Sequence, residues 1–89
     1  MIKNMTHIEE VMIYAHFKEV GYKEATNGFV IDNNTAEEVE TNFYNLTGVR
    51  FEECEEEMIK AVYGAFFKGY YERKAEEWAK MWKNKVKDL

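Results

Sequence analysis

Glu52-Glu53-Cys54-Glu55-Glu56-Glu57 surrounds one thiol with five carboxylates. A cysteine nucleophile acts as its thiolate, and neighbouring carboxylates disfavour that form, so Cys54 is expected to be a poor nucleophile. As the sole cysteine it excludes an intramolecular disulfide and a multi-cysteine metal site. His7 and His16 each precede a glutamate by three residues, Glu10 and Glu19, a spacing that pairs side chains on one helical face. Zinc needs three or four converging ligands, and two imidazoles nine positions apart on one helix do not converge. No histidine follows His16, so no Ser/His/Asp arrangement is indicated. None of the five glycines falls in a GxGxxG or P-loop pattern. The expectation is no catalytic residue, no metal and no cofactor: a protein that is not an enzyme.

The carboxylates point elsewhere. Net charge is −5, but residues 31–57 carry nine acidic side chains against Arg50 alone, while residues 58–89 carry eight Lys or Arg against four acids. On a helix the five glutamates of 52–57 would spread over an arc of about 200°, with Phe51, Cys54 and Met58 opposite. Adjacent like charges cost stability. The dipole at a helix start recovers some of that cost, which accounts for two or three acids but not five. Asp32, Glu37, Glu38, Glu40, Glu52, Glu53, Glu55, Glu56 and Glu57 are therefore the expected surface for a basic protein partner. The plainer alternative is that the acidic middle and the basic end neutralise each other, within a monomer or across a dimer.

These residues must be held by helices. Thr6-His7-Ile8-Glu9 has the capping-box pattern, and the helix it opens is expected to stop at Gly21. Asn27-Gly28 predicts a type I′ hairpin turn between arms 22–26 and 29–32. Thr35-Ala36-Glu37-Glu38 opens a second helix that carries Val39, Phe43 and Leu46 and ends at Thr47-Gly48. From about Phe51 a third helical pattern runs almost to the C-terminus through Gly64 and Gly69, each unfavourable in a helix by up to ~1 kcal/mol.

The phase of this last segment changes along its length. Phe51, Cys54, Met58, Ala61, Val62 and Ala65 share one face. Tyr71, Ala75, Trp78, Trp82, Val86 and Leu89 share another, rotated by roughly 120°. Either the helix breaks near Gly69, or its tail packs on something else, such as a second copy. Ile59, Tyr63, Phe66, Phe67 and Tyr70 add a further apolar arc. With Trp78 and Trp82 they form the expected self-association face of a homodimer. The tail, 73–87, is basic and amphipathic, but Glu72, Glu76 and Glu77 dilute its field. The acidity of the whole chain argues against direct nucleic-acid binding, and no apolar run reaches the ~18 residues of a membrane span.

Eighty-nine residues, 46% hydrophobic and 16% aromatic, predict one domain over 1–89. The expected fold is mostly α (α+β), with three or four helices and one short hairpin. The N-terminal residues lack a signal-peptide core, so a cytoplasmic location is expected. In its small size, acidity, aromatic content, absence of a catalytic motif and its 52–57 run, the chain resembles phage and mobile-element inhibitor proteins, including the anti-CRISPR group. Several of that group occlude nucleic-acid sites with an acidic face. The resemblance thus implies an inhibitor that presents a nucleic-acid-mimicking surface to a basic nuclease or complex in the host cytoplasm. The rival, from another class, is a structural or regulatory homodimer, a phage accessory or antitoxin-like protein joined through the aromatics of 63–82.

Overall fold

Met58, Val62, Phe66 and Tyr70 recur every four residues, and all four are buried, so they make one stripe along a helix that must be covered. Two further helices cover it. In the computed structural model, residues 7–87 are described, and they form α1 (His7–Thr26), α2 (Thr35–Thr47), a 3-10 turn (Phe51–Glu53) and α3 (Glu56–Lys87). The Thr6 cap lies outside the described residues. Tyr14 lies beside Met58, Lys18 beside Glu72 and Tyr22 beside Glu76, so α1 and α3 run parallel. Between them α2 returns antiparallel, with Ala36 at Tyr63 and Phe43 at Phe51. Ile13, Phe17, Val39, Phe43, Phe51 and Phe66 fill the space with Met58 and Val62.

The fold is mostly α, as expected, with three α-helices, but among the described residues there is neither a strand nor a fourth α-helix. The expected hairpin is the end of α1 instead. Gly28 is left-handed at φ 84°, its N–H donates to the Ala25 carbonyl at 3.2 Å, and the Phe29 N–H donates to the Glu24 carbonyl at 2.9 Å. Those two bonds make a Schellman cap. Asn27-Gly28 supplies the positive φ that was read from it, but for a helix end and not a hairpin. The Phe29 carbonyl then accepts from the Tyr70 hydroxyl at 2.7 Å, which ties the loop to α3.

Asn34, not Thr35, is the N-cap of α2 and makes no side-chain capping bond; the turn ahead of it is closed by Asp32. Its Oδ1 accepts from the Asn34 N–H at 2.8 Å, while Thr35 Oγ1 accepts from the Asp32 N–H at 2.9 Å. The reciprocal pair makes an Asx-type turn just ahead of the helix, and it gives the buried Thr35 hydroxyl a partner.

Neither Gly21 nor Gly69 stops a helix. They are where α1 and α3 cross. A Cβ on Gly21 would run into the Phe66 carbonyl and the Tyr70 amide, and a Cβ on Gly69 would run into the Lys18 carbonyl and the Tyr22 amide. The contact is reciprocal, with each glycine under the other helix's backbone, so only glycine allows this approach. A single unbroken α3 of 32 residues follows, about 48 Å long at 1.5 Å per residue. The molecule measures 57 × 27 × 18 Å, and the last turns of α3 extend its long axis.

Candidate functional site

The five glutamates sit on two elements rather than one helical arc. Glu52 and Glu53 lie on the 3-10 turn, Glu56 and Glu57 open α3, and Glu55 lies between. The chain is extended at Cys54, whose N–H donates to the Phe51 carbonyl at 2.9 Å. That kink lets both Phe51 and Met58 reach the core. The Glu55 carbonyl accepts from the Met58 and Ile59 amides, so the run is also the N-terminus of α3, whose dipole favours negative charge. All five glutamates are exposed. Glu56 pairs with Lys60 at 3.2 Å. Arg50, the basic residue nearest in sequence, lies over the Tyr44 ring at 5.2 Å. Burial pushes the half-buried Cys54 thiol up, and Glu53 adds to this, so the thiolate is disfavoured as the sequence suggested.

The acids of the second block diverge around α2. Glu38 faces Glu24 of α1, and burial followed by the Glu38 charge raises the Glu24 carboxyl. Glu40 lies on the other flank, near Tyr63, whose hydroxyl is raised by burial and then by Glu40. Glu37 is exposed in the first turn, and with Glu38, Asn34, Thr41 and Asn42 it lines a shallow open groove. Asp32 is exposed and engaged in the turn before α2.

Unbroken, α3 keeps the acidic run far from the basic tail. Glu56 and Lys80 are about 36 Å apart along the helix, several Debye lengths at physiological salt. Within one chain the tail lysines from Lys80 onward therefore do little to neutralise the acidic run, and Lys60, one turn away, pairs with Glu56.

The aromatic face divides in two. Phe66 and Tyr70 are buried in the chain's own core, and Ile59, Tyr63 and Phe67 are half-buried against it, so none of these is freely presented. Trp78 and Trp82 are 73% and 69% exposed. The residues that join them outside are Tyr71, Met81 and, from the loop after α1, Val30. The phase shift in the sequence had already grouped Tyr71 with the tryptophans, while Val30 carried no such signal. A second apolar groove lies between Met12 of α1 and Leu46 of α2, edged by Glu9, His16 and Glu19.

Among the described residues no three His, Cys, Asp or Glu side chains converge as metal ligands, and no helix is long and apolar enough to cross a membrane. Compared with family models, curated proteins and solved structures, the chain matches none of them.

Proposed function

We propose that this chain is a non-enzymatic binding protein. Its acidic end occupies a basic, nucleic-acid-binding groove of a partner protein and inhibits it in the manner of the anti-CRISPR group, in a cytoplasm. The observation that carries this reading is the exposed carboxylate cluster at 52–57, held some 36 Å from the chain's own basic tail. Glu56 pairs with Lys60 of its own helix, but the run stays acidic in net, and such a patch steers association with a partner of opposite sign. The 3-10 turn and the extended Cys54 spread the carboxylates over two directions, as a phosphate-reading groove would meet them, and Glu40 beside Tyr63 adds one from α2.

The test begins with capture of basic proteins from a bacterial lysate on the immobilised chain, followed by elution with salt and by competition with duplex DNA or RNA. The captured protein should be displaced by nucleic acid, and binding should weaken steeply between low and physiological salt. Replacing Glu52, Glu53 and Glu56 by Gln should remove the competition and leave the circular dichroism spectrum unchanged. Undiminished binding by that folded variant would reduce the glutamates to a solvated face.

A further inference from the structure

The free face of α3 is longer than its exposed tryptophans. Glu57, Gly64, Tyr71, Trp78 and Lys85 recur every seven residues, a spacing that keeps them within about 20° of one line per heptad. Val62 of the core lies about 180° from Tyr71 on the helix, so this line runs directly opposite the buried stripe. Glu57, Gly64, Tyr71, Trp78 and Lys85 are all exposed, and a Cβ built on Gly64 meets nothing within 4 Å. The face is thus open from the first turn of α3 to Lys85.

We infer that this face pairs with the same face of a second copy, the two α3 helices antiparallel and Tyr71 on the two-fold axis. Its sequence is self-complementary about Tyr71. Gly64 and Trp78 lie seven residues on either side, so each Trp78 indole covers the other chain's Gly64. Glu57 and Lys85 lie fourteen on either side and face each other with opposite charge. The two-fold keeps each flanking row on its own side of the seam, so on one side Phe67 faces Lys74 and Lys60 faces Met81, and on the other Lys68 faces Ala75 and Ala61 faces Trp82. Large side chains meet small ones at Trp78 with Gly64 and at Trp82 with Ala61, as knobs meet holes in a helical seam. None of these facing pairs sets like charges together. A parallel pairing would instead set Glu57 on Glu57, Lys85 on Lys85 and Gly64 on Gly64, leaving a void beside stacked tryptophans. A lipid surface would have to accept Glu57 on the same line. The contact is isologous and closes as a dimer.

The dimer is read from mass and cross-linking, and the acidic-surface reading from nucleic-acid competition, so either can fail alone. Sedimentation should give a dimer mass in the micromolar range. In a Cys54→Ser background, Tyr71→Cys should form a disulfide-linked dimer with itself. Lys85→Cys should do so only when mixed with Glu57→Cys. Gly64→Leu fills open space in the monomer but takes the place of the partner's Trp78. It should keep the helical spectrum and weaken dimerisation at least tenfold. A monomer mass throughout, self-linking by Lys85→Cys, or a Gly64→Leu variant that dimerises as before would each overturn the pairing. So would a monomer that binds vesicles of anionic phospholipid through Trp78 and Trp82, which would assign the face to a membrane surface.

Discussion

The first half of α3, residues 56–71, holds ten apolar side chains and the second, residues 72–87, holds six, and their fates differ by more than that ratio. Residues 56–71 carry Met58, Val62, Phe66 and Tyr70 into the core between α1 and α2, whereas 72–87 run on past α1 with Trp78, Met81 and Trp82 in solvent. The second half is the more charged, with nine charged residues against four, yet its two tryptophans are large enough to be buried had a neighbour covered them. The Gly21–Gly69 crossing lays α1 along the first half and as far as Glu72, Arg73 and Glu76 of the second, and the Schellman cap at Gly28 ends α1 before it could cover Trp78 and Trp82. Burial here is decided by where the neighbouring helix stops.

The sharpest way to break that contrast is to shorten one aromatic in each half. Phe66 has no exposed surface and rings of Phe29, Phe67 and Tyr70 around it. Phe66→Ala should cost about 3–5 kcal/mol of unfolding free energy, much of what a domain this small possesses. Trp82→Ala, measured at dilution where the chain is monomeric, should stay within about 0.5 kcal/mol of the parent. Urea unfolding followed by circular dichroism decides it. A comparable loss at Trp82 would mean that the tail packs on its own chain.

Glycines sharpen the same comparison with effects of opposite sign. At Gly69 an added methyl meets the backbone of α1, which cannot move aside as a side-chain end can, and Gly69→Ala should destabilise by about 1–3 kcal/mol. Gly64, five residues earlier on the same helix, has open space instead. Gly64→Ala should stabilise the monomer by up to ~1 kcal/mol through helix propensity alone. Equal signs at the two positions, read from the same unfolding curves, would show that α1 and α3 do not approach closely.

These glycines also mark how far the sequence was legible. Local patterns located the helices, because Val39 with Phe43, and Met58 with Val62, show their spacing without any knowledge of a partner. The offset of Tyr71, Trp78 and Trp82 likewise signalled that the end of α3 faces different surroundings. Gly21 and Gly69 were misleading, since a glycine within a helical pattern looks the same whether it ends the helix or admits another backbone. Asn27-Gly28 was misleading for a related reason. Positive φ is required both by a type I′ turn and by a Schellman cap, and only the carbonyls of Glu24 and Ala25 distinguish them. The glutamates of 52–57 were legible as exposed, but the break at Cys54 depends on where Phe51 and Met58 must both go.

The smallest effect concerns the acidic residues nearest the core, where Glu24 and Glu38 face each other across α1 and α2. Burial first, and then the Glu38 charge, raise the Glu24 carboxyl above its ordinary value. A carboxyl raised in the folded state holds its proton more tightly there than when unfolded. Its contribution to stability is therefore fully present below the unfolded value and is lost as pH rises through the folded one. At neutral pH the ionised Glu24 opposes folding, unlike Glu19, which the Lys23 hydrogen bond and charge hold below the usual range. Glu24→Gln should therefore stabilise the protein at pH 7 by a few tenths of a kcal/mol, the scale of a like-charge pair on helices. The gain should vanish as pH falls below the ordinary carboxylate range, where Glu24 is protonated in both states. Thermal unfolding of parent and variant between pH 3 and pH 7, with Glu19→Gln as the control of opposite sign, checks it. A gain that persisted undiminished at pH 3 would trace to packing of the amide rather than to the charge of Glu38.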